Sequence, residues 1–166
     1  MSTAAKSRPT PPSVEAWSTL LDLALAEDLG PADLTSELTV EADREGRARI
    51  EARQSLVVCG LDLAREVFRR VDPDLVVAIE SGVRDGQLAE PGQALFRVSG
   101  RYASILAAER TALNFMGRLC GIATQTRRLV DLVTDTPTDL VDTRKTTPGW
   151  RPRTSRAVAI LSLIHI

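Results

Sequence analysis

The hydrophobic positions near the start of the chain repeat every three or four residues, which is the spacing of one helix face. After two prolines, Ser13 is placed to cap a helix and Gly30 is placed to end it. The positions that carry this helical period are Val14, Trp17, Leu20, Leu21, Ala24, Leu25 and Leu29. The pattern therefore predicts a helix between Ser13 and Gly30.

The next part of the chain has the shorter periods that are typical of strands. Residues 46–53 alternate strictly between apolar and charged side chains, which predicts a half-buried strand. A second short strand is predicted at 56–60, followed by a helix over 61–71 that an Asp-Pro pair stops. A compact β-prone run covers 75–79. In 81–100, short apolar segments lie between Asp-Gly and Pro-Gly turns, which predicts small β-hairpins.

Helical spacing returns in the second half of the chain. Residues 102–133 are predicted to form a long helical region that is interrupted near 117–121, where two glycines occur. A buried strand is predicted over 139–143, and it leads into a polar loop at 144–149.

This order of elements predicts an α+β fold with two parts. Residues 1–12 read as a disordered tail because they are rich in Ser, Thr and Pro. Residues 13–136 are predicted to form an N-terminal domain of α/β-sandwich type, and residues 137–166 begin a second unit.

Composition removes several classes of function. The chain has 166 residues, a net charge of −1 and a pI near 5.9, so no overall field favours nucleic acid or an anionic membrane. No apolar run approaches the ~20 residues of a membrane helix, and the first residues lack the hydrophobic stretch of a secretory signal, so we expect a cytoplasmic protein. His165 is the only histidine, which excludes a histidine triad built from this chain. Cys59 and Cys120 are expected to be buried, reduced thiols.

The helix around Arg110 is the first candidate site. Apolar residues nearly surround this helix, so we expect it to be buried, with Glu109, Arg110 and Asn114 as polar residues in that setting. A buried unpaired charge costs on the order of several kcal/mol, so Arg110 needs a partner. Two interpretations stay open: a carboxylate neutralises Arg110 for structural reasons, or the guanidinium binds an anion.

The second candidate site is the loop that follows the predicted strand 139–143. The strand delivers Thr143, Arg144 and Lys145 to its carboxyl end, where ligands bind in α/β sheets and barrels. Arginine offers a planar fork for a carboxylate or phosphate, and lysine offers a compact charge beside it. Most Arg-Lys pairs in loops are merely solvated, so that alternative also stays open.

Four segments of the chain form a pattern when they are taken together: EDLGPADLTS at 27–36, AERTALN at 108–114, GIAT at 121–124 and DTRKTTPG at 142–149. These segments resemble the signature blocks of quinolinate phosphoribosyltransferases. Their order and spacing are similar to the family's from about Trp17 to Gly149, and DTRKTTPG is the most specific segment. A related molybdenum-transport-associated subfamily shares much of the pattern and is the alternative.

The resemblance implies an enzyme, a nicotinate-nucleotide diphosphorylase (carboxylating), which is a pentosyltransferase of NAD biosynthesis. Such enzymes transfer phosphoribose from phosphoribosyl pyrophosphate to quinolinate with Mg²⁺, and they release pyrophosphate and CO₂ to give nicotinate mononucleotide. The resemblance also implies a homodimer or a hexamer of dimers, in which the partner's N-terminal domain closes the mouth of an incomplete α/β barrel. Arg110 then matches the arginine that reaches quinolinate in the neighbouring subunit. Thr143, Arg144 and Lys145 match the substrate-binding strand end, with Lys145 as the catalytic residue.

The chain departs from the family pattern after Gly149. Thr154 and Ser155 stand where the family has Glu-Lys, and the surroundings of His165 do not match the family histidine. We therefore expect a barrel that is truncated after its first strand, an aberrant segment after 149, and an unpaired apolar tail at 157–166. On this view the chain alone is inactive, and the Mg²⁺ ligands belong to the missing part, so no residue here is assigned to a metal.

Two functions from other classes were weighed against this one. A non-catalytic module could use the N-terminal domain only for dimerisation or binding. A lipoyl-type carrier is excluded, because it needs a lysine at a hairpin tip and residues 82–100 contain none.

Overall fold

The computed structural model describes residues 17–30, 40–41, 43–138 and 140–159. The expected tail at 1–12, the capping Ser13 and the end of the chain at 160–166, including His165, lie outside these residues. Helix α1 runs Ser18–Leu29, inside the predicted span, and the N–H of Gly30 donates to the Ala26 carbonyl at 3.1 Å where the helix ends. Leu21 and Leu25 are its buried residues.

Five strands and three helices follow α1 in the described part of the chain. The strands are β1 (Glu45–Glu51), β2 (Leu56–Val57), β3 (Val76–Ile79), β4 (Leu88–Ala89) and β5 (Ala94–Arg101). Helix α2 (Leu61–Val71) connects β2 to β3, as its spacing predicts. Strand β5 lies at the centre of a three-stranded antiparallel sheet in the order β1-β5-β3, and β2 pairs with β4 in a separate two-stranded sheet.

The small hairpins predicted over 81–100 are wrong. Strands β4 and β5 do form there, but β4 pairs with β2 and β5 pairs with β1 and β3, so the two do not pair with each other. The reason is burial, because Leu95, Phe96 and Val98 of β5 are at most 3% exposed in the middle of the larger sheet. An isolated two-stranded hairpin could not remove that much apolar surface from water.

Helix α3 (Tyr102–Val133) is one continuous helix of 32 residues, so the predicted interruption near 117–121 is wrong. Gly117 and Gly121 lie on its exposed side, where an added Cβ would meet nothing within 4 Å. Each glycine weakens a helix by about 1 kcal/mol relative to alanine, and burial of Phe115 and Leu119 on the opposite side offsets that cost. The helix is amphipathic and not buried on all sides.

A single hydrophobic cluster lies between the sheets and the helices. Phe68 of α2 meets Phe96 of β5 edge to face, with ring centroids 6.1 Å apart. Thr124 of α3 fixes β2 to the helix, because its hydroxyl accepts from the Val57 N–H at 2.9 Å and donates to the Cys120 carbonyl at 2.6 Å. The middle of α3 is therefore a rigid part of the domain core.

The strand predicted over 139–143 is not buried. Asp139 lies outside the described residues, and Val141 forms only a single bridge and is 49% exposed. A strand of this kind is buried when other strands flank it on both edges. No strand among residues 17–159, as far as they are described, forms a ladder with it.

The unpaired apolar tail predicted from residue 157 is wrong for residues 157–159. They belong to helix α4 (Arg151–Ala159), which packs against α3, and Ala157 is completely buried. Arg156 helps to hold α4, because its Nη2 lies 3.1 Å from Asp85 Oδ2 while Asp85 Oδ1 accepts from the first N–H groups of α2. The expectation for 160–166 falls outside the described residues.

Candidate functional site

Arg110 projects from the exposed side of α3 and is tethered at one nitrogen. Its Nη1 donates to Asp28 Oδ1 at 2.9 Å, and the arginine side chain is 75% exposed. Asp28, near the end of α1, is only 17% exposed, and its other oxygen accepts from the Thr111 hydroxyl at 3.0 Å. The carboxylate is therefore held by two neighbouring residues of α3.

This geometry bears on both interpretations of Arg110, as a structural ion pair and as an anion-binding residue. The structural carboxylate partner exists, but the expected burial of Arg110 is wrong. An exposed ion pair contributes about 0.2–1 kcal/mol to the free energy of unfolding, so Arg110 stabilises the fold only slightly. The rest of the guanidinium fork faces solvent and has the geometry to receive a second carboxylate.

The loop after Val141 exposes its cations and fixes its backbone with hydrogen bonds. Thr143, Arg144 and Lys145 are all exposed. The Thr143 N–H donates to Asp142 Oδ1 at 2.7 Å, the Lys145 N–H donates to Thr143 Oγ1 at 3.2 Å, and Arg151 donates to the Arg144 carbonyl at 3.2 Å. Within the described part of the chain, neither Arg144 nor Lys145 has an ion pair, so both charges stand in solvent.

Helix α4 anchors this loop through a residue that departs from the expected pattern. Ser155, at the position where Glu-Lys was expected, donates its hydroxyl to Asp142 Oδ2 at 2.5 Å. Asp142 therefore connects α4 to the Thr143 N–H, and the unusual sequence of α4 still supports the loop.

A cleft of about 410 Å³ opens between α1, α3 and the start of α4. Trp150 forms one side, stacked on Phe115 with ring centroids 5.3 Å apart, and Arg118 lies over the same indole. Sequence reasoning missed Arg118 and Trp150, although Arg118 lies on the exposed side of the same helix as Arg110. The lining residues are Ala24, Glu27, Asp28, Thr111, Asn114, Phe115, Arg118 and Trp150.

Among the described residues, no hydrogen bond or ion pair joins Arg110 to Arg144 or Lys145. Arg110 is tethered to α1, whereas Arg118 contacts the loop. Eight residues separate the two arginines on the helix, which is about 12 Å along its axis. No described residue is a shared partner of Arg110 and Lys145.

A larger cleft, about 810 Å³, lies at the end of the three-stranded sheet, where Arg101 has an ion-pair partner. Arg101 bonds to Asp72, whose carboxylate also accepts from Ser104. The hydrogen bond from Ser104, with further ones from the Asp74 N–H and Arg101, lowers the pKa of Asp72. None of the candidate-site residues lines this cleft. The lining residues are Glu45, Gly46, Arg47, Asp74, Val76, Ser99, Gly100 and Arg101.

The two cysteines are buried free thiols, as expected. The Cys59 N–H donates to Cys120 Sγ at 3.3 Å. Burial raises the pKa of both thiols, that of Cys120 to about 11, so neither is a thiolate near neutral pH. Their burial and raised pKa disfavour a role as nucleophiles.

The described residues form neither a metal-binding cluster nor a membrane-spanning helix. Among the described residues there is no group of three or more His, Cys, Asp or Glu side chains placed to hold a metal ion. None of the described helices has the length and apolar character to span a membrane.

Comparisons with known proteins match both parts of the chain. The N-terminal domain model of quinolinate phosphoribosyl transferase matches residues 33–120, and the C-terminal domain model matches residues 122–161. The second match continues past Gly149, where we expected the resemblance to fail.

Curated relatives and solved structures agree with these matches. Quinolinate phosphoribosyltransferase 1b (decarboxylating) of Nicotiana tabacum is 39% identical over 80% of this chain and 37% of its own length. The probable nicotinate-nucleotide pyrophosphorylase (carboxylating) of Synechocystis is 39% identical over 76% of this chain and 42% of its own length. The nicotinate-nucleotide pyrophosphorylase structure from Francisella tularensis is 33% identical with a TM-score of 0.86, over 96% of this chain and 55% of that one. NadC of Streptococcus pyogenes has a TM-score of 0.90 at 27% identity, over 95% and 55%. The chain thus spans about two fifths of these curated relatives and about half of these solved chains.

Proposed function

This chain belongs to the quinolinate phosphoribosyltransferase family, and from that premise we propose that its protein transfers phosphoribose from phosphoribosyl pyrophosphate to quinolinate. Pyrophosphate and CO₂ are released, and the product is nicotinate mononucleotide for NAD biosynthesis. The single observation that carries the proposal is the exposed, tethered guanidinium of Arg110 in the family's AERTALN segment. The relatives carry quinolinate in their names, which favours this substrate over the molybdenum-associated alternative.

The charges of the substrates explain why several cations must converge. Quinolinate carries two carboxylates and phosphoribosyl pyrophosphate carries several phosphate charges, so neither can be held beside the other without cations between them. Arg110 supplies a fork that binds one carboxylate. Thr143, Arg144 and Lys145 supply the hydroxyl and the charges of the opposite wall, and their exposure supports this role.

The proposed reaction has two bond changes at each stage. The ring nitrogen of quinolinate attacks C1 of the ribose while the bond from C1 to the pyrophosphate oxygen breaks, and the sugar becomes cationic in the transition state. Lys145 stabilises the departing pyrophosphate charge. The carboxylate next to the ring nitrogen then leaves as CO₂, and the electron pair of the broken C–C bond remains on the ring carbon beside the positive nitrogen. A proton then bonds to this electron pair and takes the place of the lost carboxylate. The arginines must therefore bind the carboxylate that stays.

Mg²⁺, which the resemblance implies, does not fit a site made of the described residues, since they contain no suitable cluster of ligands. We propose that the ion would accompany phosphoribosyl pyrophosphate and offset part of its phosphate charge, with its protein ligands outside the described residues. The roles of Arg110 and Lys145 do not depend on where the ion is held.

The assembly proposed is a homodimer, or a hexamer of dimers, in the cytoplasm, with Arg110 acting in the neighbouring subunit. The exposure of Arg110 supports this arrangement, because a side chain that is 75% exposed can reach a second subunit. The inactivity expected for this chain by itself stays a prediction.

Calorimetry with quinolinate tests the proposal on the protein in its native assembly. We expect Arg110→Ala to weaken binding by roughly 100-fold or more, because a charged partner of a carboxylate is lost. Its melting temperature should stay close to that of the parent, since the exposed ion pair with Asp28 contributes little to the fold. Arg127→Ala is the matched control, since Arg127 is exposed on the same helix.

Unchanged quinolinate affinity in Arg110→Ala would contradict the proposed function. A protein that serves only as a dimerisation or binding module would give no quinolinate binding even before substitution.

A further inference from the structure

The turn that ends the cationic loop is held from outside by one arginine of α3. Thr147 and Trp150 are the first and last residues of this turn, and the Trp150 N–H donates to the Thr147 carbonyl at 3.0 Å. Pro148 is its second residue and Gly149, with φ of 75°, its third, which is the pattern of a type II turn. Arg118 reaches both ends: its Nη2 donates to Thr147 Oγ1 at 2.6 Å, and its guanidinium carbon lies 4.8 Å from the indole centroid of Trp150.

We propose that Arg118 is a positioning residue that fixes the loop carrying Arg144 and Lys145 in its own chain. The inference rests on the proposed function, because it concerns the substrate-binding loop of that reaction. Arg118 does not touch substrate in this account; it acts through Thr147 and Trp150, which follow Lys145 by two and five residues.

The loop needs such support because little of it is buried. Residues 143–145 and 147–149 are exposed, so apolar burial contributes little to their order, and fixing an exposed backbone costs conformational entropy. Trp150 is the exception, and its indole contacts Phe115 and Arg118, which both come from the rigid middle of α3. The stacked ring and the hydrogen bond to Thr147 together transmit the position of α3 to the loop.

The contacts of Arg118 favour a supporting role over that of an anion ligand. The guanidinium is engaged by a hydroxyl and by an aromatic face, an arrangement that a lysine cannot reproduce at both contacts. Its geometry suits fixing the turn better than binding substrate.

One helix then contributes to two sites of the proposed dimer. Arg110 extends from α3 into the site of the neighbouring copy, and Arg118, about 12 Å along the same axis, holds the substrate-binding loop of its own chain. Helix α3 thus connects the loop of one site to the substrate of the other.

Amide hydrogen exchange and quinolinate calorimetry on the native assembly test the inference together. Arg118→Met keeps an apolar stem of similar length and removes the donor and the charge. We expect exchange over residues 143–150 to become roughly 10-fold faster, with quinolinate affinity about 10-fold weaker, while exchange in α2 stays unchanged. Arg118→Lys should recover only part of both effects, and Arg127→Met should change neither.

Each other outcome overturns the inference. Unchanged exchange over 143–150 in Arg118→Met would show that the arginine does not hold the loop. Faster exchange with unchanged affinity would show that the loop's order does not matter for substrate. If Arg118→Met fails to fold, Thr147→Val removes one of the two contacts at an exposed position and is judged by the same two readouts.

Arg110→Ala, measured alongside, separates the two levels of the account. If Arg110→Ala loses quinolinate binding and Arg118→Met keeps the parent affinity, the proposed function stands and only the role of Arg118 is refuted. Unchanged binding in Arg110→Ala refutes the proposed function itself, whatever happens to the exchange rates.

Discussion

The two cationic regions of the protein are built in opposite ways. Arg110 stands on a 32-residue helix, and its guanidinium is tethered by a carboxylate that a neighbouring hydroxyl also holds. Arg144 and Lys145 stand on an exposed loop in which only the backbone is fixed, by Arg151 and by the Thr143 hydroxyl. The first region orients its charge directly, and the second orients the chain and leaves the charged side chains in solvent.

Because of this difference, substrate binding in the two regions is sensitive to different substitutions. Where a charged side chain is preorganised, both that side chain and the residue that tethers it contribute to the free energy of binding. In the loop, the side chains can be removed without harming the fold, whereas the contacts that fix the backbone act on binding from a distance. The three supports of the loop come from α3 and α4, at Arg118, Arg151 and Ser155.

The largest effect that separates the regions is expected from Lys145→Ala. Loss of the charge beside the departing pyrophosphate should lower kcat by about 10²–10³-fold, the usual cost of removing one group that stabilises a transition-state charge. The melting temperature should not change, because the Lys145 side chain is exposed and has no ion pair in the described part of the chain. Steady-state kinetics with both substrates and a thermal melt provide the two values.

A kcat within a few-fold of the parent would mean that Lys145 is only a solvated residue. Lys6 lies outside the described residues, so the matched control for loss of an exposed cation is Arg127→Ala.

A smaller effect is expected from Asp28→Asn, which loosens the tether of Arg110. The amide keeps one oxygen that can accept from Arg110 or from Thr111, but its nitrogen is a donor, so both bonds cannot persist. Since exposed ion pairs are worth about 0.2–1 kcal/mol, quinolinate affinity should fall by roughly 5-fold or less. Calorimetry measures this loss.

Asp22→Asn is the control for that substitution, because Asp22 lies on the same helix and pairs with Arg70 instead. Equal losses in the two variants would show that the change acts through α1 as a whole and not through Arg110.

The local sequence pattern predicted those helices and strands that bury a regular apolar face of their own. The apolar spacing over 61–71 predicted α2 with its observed bounds, and the alternation over 46–53 predicted a strand that is observed at Glu45–Glu51. Both patterns worked because each element buries one regular face. Glycine was misleading in α3, since Gly117 and Gly121 lie on the exposed side, where they leave the helix intact.

Contacts between distant residues could not be predicted from the sequence. The place of β5 between β1 and β3 depends on which strand best covers Phe96 and Val98, and a turn signal does not contain that information. The partners of the site residues are also distant, with Asp28 82 residues from Arg110 and Thr147 29 residues from Arg118. Arg110, Arg144 and Lys145 were predicted as site residues because the family resemblance assigns them roles. Asp28, Thr111 and Thr147 lie in the same signature segments, but the segments do not indicate which residues they contact.

The central claim is that Arg110 and Lys145 from different copies form one site, and subunit complementation tests it most directly. Arg110→Ala and Lys145→Ala proteins are each expected to be nearly inactive. When equal amounts are dissociated and reassembled at random, half of the dimers are hybrids, and each hybrid has one site with both residues intact. The account predicts recovery of about a quarter of the parent kcat in the mixture. Activity no higher than that of either variant alone would mean that both residues serve the same chain, and it would contradict the account.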